Sequence, residues 1–293
     1  MKITNKYNLP EPIYRAISQV WPPQEGRISV SDLIAPPLIL SLKKKYWDQL
    51  EEDASERLWA LLGQGLHYVL QKHTDGEYLS EERLKVEVYG TTITGRPDLY
   101  YKETIEDYKV TSVFSFLLGM KVEWEQQLNV YAFMFRHYGF KVDKLQISAI
   151  LRDWIKNKAW FDKDYPSIPF QTIPVEIWTP ERATAYVYDR IKAHKLNAEI
   201  PCTDIDRWKR PKKFAVKKAG TKRALAGGIK DTKEDAERFA EEYLKKIASR
   251  KVRLEIEERP EIFIRCKQYC IVRTVCPINP YKGDQIEEME DEV

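Results

Sequence analysis

The 293-residue sequence has no apolar run approaching the ~20 residues that a membrane-spanning helix needs. Its start is polar and punctuated by Pro10, Pro12, Pro22 and Pro23, without the apolar stretch of a secretory signal. Both absences point to the cytoplasm, in a prokaryotic cell or a virus-infected host cell, with no membrane partner. Cysteine is scarce, with four in all, and none precedes Cys202. So few thiols in a cytoplasmic chain speak against a disulfide framework and for metal or redox chemistry. There is no internal repeat, and the net charge is only +3. Charged residues nevertheless make up 32% of the chain, above the usual ~25%, so their distribution is more informative than their sum. The 43% hydrophobic content suffices for a core in one large domain, or a domain with an appendage.

What is present centres on Gly95–Lys109, which reads GRPDLYYKETIEDYK. Alternation along a strand puts Asp107 and Lys109 on one face and Tyr108 on the other. If runs 93–101 and 104–111 pair as a hairpin, Asp98 reaches the same patch. Two carboxylates and an amine would then converge. Hard divalent cations such as Mg²⁺ take one or two carboxylates plus water and phosphate oxygens. An amine beside such an ion can orient or deprotonate an attacking water, so the set suits phosphodiester cleavage. A solvated hairpin with ordinary surface charges is the plainer alternative.

The flanking segments add to this pattern. Ser29 or Ser31 can cap a helix running through Leu42, with Pro36-Pro37 near its first turns or kinking it. A second helix is expected over 54–73, with Leu58, Leu61, Leu62, Leu66, Val69 and Leu70 as its apolar stripe. It carries His67, a candidate ligand better suited to Mn²⁺ than to Mg²⁺, and His73, read as background. Strands are expected at 84–89, 92–101 and 104–111, with Glu87 read as a surface carboxylate rather than a further ligand. A helix over 113–138 places Gln127 and Tyr131 one turn apart, both able to face the hairpin. Another strand at 144–151 completes a mixed central sheet with flanking helices, an α/β fold.

The succession of His67, Pro97-Asp98, Asp107-x-Lys109 and Gln127-x3-Tyr131 resembles the PD-(D/E)xK nuclease superfamily, in its RecB-like and lambda-exonuclease-like members. The resemblance spans about residues 29–154 and implies a restriction-endonuclease-like core. It implies a Mg²⁺- or Mn²⁺-dependent exonuclease acting on DNA ends, often single-stranded, in recombination, repair, viral replication or CRISPR adaptation. His67, Asp98 and Asp107 would hold metal, Lys109 would position water, and Gln127 and Tyr131 would orient Lys109 or a phosphate. A structure-specific endonuclease and a non-catalytic DNA-binding or assembly module are the alternatives. A second copy of the chain or a recombination protein is left open as a further partner.

Residues 155–200 hold an aromatic loop with Trp160, Phe161, Tyr165 and Phe170, then a strand and a helix starting at Thr179-Pro180. From 207 to 223 the chain reads RWKRPKKFAVKKAGTKR, without an acid. Arg207, Lys209, Arg210, Lys212, Lys213, Lys217, Lys218, Lys222 and Arg223, with Trp208 and Phe214 interleaved, suit phosphates and unpaired bases. A solvated basic loop is the bland alternative.

Cys266, Cys270 and Cys276 read C-x3-C-x5-C, with Cys202 remote. Thiols so gathered suit Zn²⁺ or an iron–sulfur cluster. The arrangement resembles the C-terminal [4Fe–4S] cluster of RecB-like nucleases, including the CRISPR-associated exonucleases and AddB-type nucleases, where it staples the ends of the nuclease domain. Two departures stand out: x3 replaces the family's x2, and its remote cysteine precedes the core, whereas Leu33–Pro37 here has none. The expected organisation is an N-terminal extension (1–28), a nuclease core (29–202), a basic appended subdomain (203–260), a cysteine segment (261–283) and a disordered acidic tail (284–293).

Overall fold

The computed structural model describes residues 1–196, 200–247 and 252–282. The acidic tail from Asp284 on lies outside the described residues. The chain divides into two units, Met1–Pro201 and Cys202–Val293.

Unit 1 begins with β1 (Lys2–Thr4), α1 (Glu11–Ile17), β2 (Arg27–Ser29), α2 (Val30–Ile34), α3 (Pro37–Tyr46) and β3 (Glu51–Asp53). The proline-punctuated N-terminal extension is therefore structured, with β1 parallel to β3. Tyr14 and Val20 pack around Ile3, Ile17 and Ala54, whereas Trp21 is 72% exposed. Ser29 caps α2 by accepting the Asp32 N–H. The single helix expected through Leu42 is broken because Ala35, preceding proline, is held extended at ψ 154°. Pro37 then opens α3 at a position where its missing N–H costs nothing.

Next come α4 (Leu58–Gln71), β4 (Leu79–Ser80), β5 (Leu84–Val88), β6 (Thr91–Gly95), β7 (Leu99–Tyr101) and β8 (Thr104–Thr111). The strand expected over 92–101 is split at Arg96-Pro97-Asp98, and its halves enter different sheets. One sheet has order β2-β6-β5. After α5 (Val113–Leu117), α6 (Val122–His137), β9 (Lys144–Leu151), α7 (Lys156–Phe161), β10 (Phe170–Val175) and α8 (Pro180–Lys195), the other closes with order β10-β9-β8-β7-β4. It is mixed, since β8 and β9 are parallel and the other neighbours antiparallel. The helix expected over 113–138 is interrupted at Gly119, whose φ of +92° lies outside the helical region.

Ile105, Leu145 and Ile147 turn one face of this sheet against Leu33 of α2, Leu128 and Phe135 of α6 and Val187 of α8, each at most 1% exposed. Every such aliphatic side chain contributes about 1.5–3 kcal/mol by leaving water. Arg190 of α8 fastens this layer: its Nε donates to the Leu33 carbonyl at 2.9 Å, and its Nη2 donates to the Ala35 carbonyl. By contrast α4, for all its leucines, has no buried residue.

Unit 2 contains β11 (Lys209–Arg210), β12 (Lys213–Lys218), β13 (Ala224–Lys230), α9 (Lys233–Ile247), β14 (Leu254–Arg259) and β15 (Ile262–Phe263). An antiparallel sheet β13-β12-β14 packs Phe214 and Val216 against Ala236 of α9. The Thr232 hydroxyl caps α9 by accepting the Asp235 N–H at 3.1 Å.

Gly95 marks the point where the chain leaves β6 for the proline turn. A Cβ there would lie 2.5 Å from Tyr131 Cε1 and 2.8 Å from Val30 Cγ2. Gly95→Ala should therefore destabilise unit 1 by about 1–3 kcal/mol through overpacking, read as a lower denaturation midpoint. An unchanged midpoint would show that the ring of Tyr131 yields freely.

Candidate functional site

Asp98 is fixed by the break that separates the two sheets. Pro97 lacks an N–H, so the chain leaves the β6 ladder before it. Tyr131 of α6 donates its hydroxyl to the Arg96 carbonyl at 3.2 Å, pinning the turn. Burial pushes that phenol up to about 12, so it stays a neutral donor. Asp98, 7% exposed, then turns its Oδ2 to accept the Tyr108 N–H at 2.6 Å. Its other oxygen, Oδ1, lies 3.2 Å from His67 Nδ1 on α4.

A second carboxylate meets the same imidazole nitrogen, with Glu81 Oε1 3.0 Å away. Glu81 follows β4 at φ +55°, in the left-handed region where a non-glycine residue is strained. Its N–H donates to the Asp98 carbonyl at 3.2 Å, which holds the kink and aims the side chain over Asp98. The nitrogen of His67 and the carboxylate oxygens of Glu81 and Asp98 all lie within 4.8 Å of one another. Among the described residues this is the one such group of three or more metal-ligating side chains. The hydrogen bond to Asp98, joined by the charges of Asp98 and Glu81, outweighs burial and raises His67 to about 9.

Asp107 and Lys109 share a face of β8, as alternation predicts. Lys109 Nζ lies 2.5 Å from Asp107 Oδ2 and donates to Gln127 Oε1 at 3.2 Å. Asp107 is 2% exposed, and Oδ2 has no hydrogen-bond partner of acceptable geometry. Burial pushes its carboxyl up, the Lys109 charge pulls it down, and the nearby Asp98 charge adds to the rise. The structure thus brings together His67, Asp98, Asp107, Lys109 and Gln127. Tyr131 is adjacent, but it holds backbone rather than Lys109. Glu87 is exposed on β5, and His73 turns its Nδ1 to the Val69 carbonyl.

Glu81 was not among the residues the sequence singled out. It belongs to no spaced motif and sits in a Ser-Glu-Glu-Arg turn. The one clue is its position between the histidine helix and the first strand. The site's donor set, two carboxylates and an imidazole with the buried Asp107 carboxylate nearby, fits a divalent cation such as Mn²⁺ or Mg²⁺.

Unit 2 holds the other candidates. The basic run is largely answered by acids: Lys209 pairs with Asp204 and Glu261, Lys212 with Glu258, Lys213 with Asp231 and Lys217 with Glu257. Arg207 stacks 3.4 Å from the Phe263 ring centroid, and Trp208 packs against Tyr269. Phe214 is buried in the core, whereas Arg210, Lys218, Lys222 and Arg223 are exposed. All four cysteines lie in this unit and form no disulfide. Burial pushes the Cys202 thiol up to about 12, and Asp206, Cys270 and Cys276 add to the rise. Cys270 is likewise raised, chiefly by burial, with contributions from Cys276 and Cys266.

No protein-family model matches the chain, and no curated protein matches it. Among solved structures the chain is similar to SSO0001, at 19% identity over 67% of this chain and 87% of that one, with a TM-score of 0.44. It is also similar to a phage-related exonuclease from Haemophilus somnus 129PT, at 15% identity over 58% and 92% of the two chains, TM-score 0.36. The third is an alkaline exonuclease from Laribacter hongkongensis, at 9% identity over 64% and 93%, TM-score 0.37. These are distant likenesses, and the roles of the residues rest on their own geometry.

His67 gives a pH signature. Its value is raised from 6.5 to about 9, so the fold favours the charged imidazole. In metal-free protein its contribution to stability is full below pH 6.5 and fades as pH rises through about 9. The gap in urea midpoint between wild type and His67→Gln, measured in chelator, should therefore narrow across that window. A gap that widened with pH would contradict the assignment.

Proposed function

We propose that unit 1 is a divalent-metal-dependent nuclease that hydrolyses DNA phosphodiesters. The observation that carries this reading is the convergence of His67, Glu81 and Asp98 beside the buried Asp107–Lys109 pair. Glu81, Asp98 and the imidazole of His67 would hold Mg²⁺ or Mn²⁺, with Asp107 completing the set from β8. When bound, the ion supplies a Lewis acid and a water of lowered pKa. Lys109, steered by Gln127 and Asp107, places a positive charge where negative charge develops on a phosphate. Tyr131 acts on Asp98 through the Arg96 carbonyl. Burial of Asp98 and Asp107 limits the water around the reacting group.

Hydrolysis from DNA ends is the finer reading, and a closed circular single strand separates it from endonuclease action. Asp107→Ala and Lys109→Ala should each lower Mn²⁺-dependent cleavage of end-labelled DNA by about 100-fold or more while the fold persists. Wild-type rates in both variants would sink the nuclease reading and favour a non-catalytic DNA-binding role.

The four cysteines of unit 2 would hold a [4Fe–4S] cluster. Cys266, Cys270 and Cys276 are 9%, 8% and 7% exposed, and Cys202 is half-buried. The cluster would fasten segment 266–276 to Cys202, and Zn²⁺ is the alternative occupant of the same four thiols. Anaerobically purified protein should be brown, with about four irons per chain. A colourless, iron-free protein would overturn the cluster, and one bound zinc would replace it.

A further inference from the structure

We infer that a second surface of unit 1, formed by Trp59 and the segment 152–165, binds an unpaired DNA strand alongside the metal site. The inference rests on the nuclease reading for the identity of the polymer, and on the following geometry for the surface.

The segment reads RDWIKNKAWFDKDY, with cations and rings interleaved. Three of its four cations sit on rings rather than on acids. The Arg152 guanidinium lies 4.0 Å from the Trp59 ring centroid, Lys156 Nζ 5.4 Å from Trp160 and Lys158 Nζ 5.9 Å from Tyr165. Among the described residues none of these three cations is in an ion pair with a carboxylate. Two of the segment's three acids are engaged by backbone, Asp153 accepting the Val113 N–H at 2.7 Å and Asp162 the Asp164 N–H at 3.0 Å; Asp164 is exposed. Trp59, Trp160 and Phe161 remain 61%, 67% and 86% exposed. Large rings left in water beside unanswered cations fit a polyanion with exposed bases. The cations meet phosphates, and the rings stack bases whatever their sequence. A duplex, with its bases covered, would leave the rings unused.

The surface is continuous with the site. The Arg152 N–H donates to the Thr111 carbonyl at 2.9 Å, two residues beyond Lys109 on β8. Trp59 stands on α4 eight residues before His67, about 12 Å along the helix. Trp154 Nε1 donates to the Pro166 carbonyl at 2.7 Å, and the Ile155 N–H donates to the Tyr165 hydroxyl at 2.9 Å, so the segment is braced. The acid-paired run of unit 2 has fewer uncommitted charges to offer.

The test is fluorescence anisotropy of the full chain with labelled oligo(dT) and with an abasic strand of equal length, in chelator so that nothing is cut. Trp59→Ala should weaken oligo(dT) binding about ten-fold and leave the abasic strand unaffected, while Trp59→Phe should restore it. Lys156→Glu with Lys158→Glu should weaken both strands and flatten the salt dependence. The inference fails if Trp59→Ala binds oligo(dT) as wild type does, if it weakens both strands equally, or if only Arg210→Glu with Arg223→Glu in unit 2 reduces binding. Strand binding that depends on Trp59 without hydrolysis would keep this surface and remove the nuclease. Hydrolysis indifferent to Trp59 would do the reverse.

Discussion

The Asp98 carboxylate is the joint on which unit 1 turns. One oxygen takes the Tyr108 N–H of β8 and the other faces His67 of α4, so a single side chain ties strand and helix together. It can do so only because the chain breaks at Arg96-Pro97 and passes from one sheet to the other. That break is enforced from three sides. Proline removes a ladder donor, Tyr131 grips the Arg96 carbonyl, and Gly95 leaves room for the Tyr131 ring. The acids are thus delivered by backbone geometry, while α6 supplies the brace behind them.

Such an arrangement keeps like charges close. Glu81 and Asp98 share one imidazole, and Asp107 is buried against Lys109. Each carboxylate has a cation beside it, which offsets the desolvation that burial imposes. The strained backbone at Glu81 fits the same picture, because positive φ in a non-glycine residue persists only where surroundings over-determine it.

Much of this was legible from residue spacing. Period-two alternation put Asp107 and Lys109 on one face, and the four-residue spacing of Gln127 and Tyr131 put both toward the hairpin. The mixed sheet could be read the same way. What escaped depends on contacts between distant segments. Glu81 reaches the site through a left-handed kink held by the Asp98 carbonyl, which no periodicity records. The strand over 92–101 read as one because its apolar pattern continues across Pro97. The leucines of α4 promised burial, yet they are only partly covered: Leu58 and Leu61 pack against Ile3, Ile17 and Ala54, while Leu62 and Val69 stay exposed. The basic run looked unanswered because three of its acids, Glu257, Glu258 and Glu261, arrive about forty to fifty residues later, on and beyond β14.

The Arg190 clamp on α2 spans 157 residues to Leu33 and 155 to Ala35. A chain leaving the ribosome in order exposes His67, Asp98, Asp107 and Lys109 well before α8 is made. Until then, Leu33 and the neighbouring sheet face have the cover of α6 but lack that of Val187 and Ile191. Synthesis of this unit therefore passes through a stage with its acids made and its apolar flank only partly covered, which makes residues near 190 the step that completes its protection from aggregation and proteolysis.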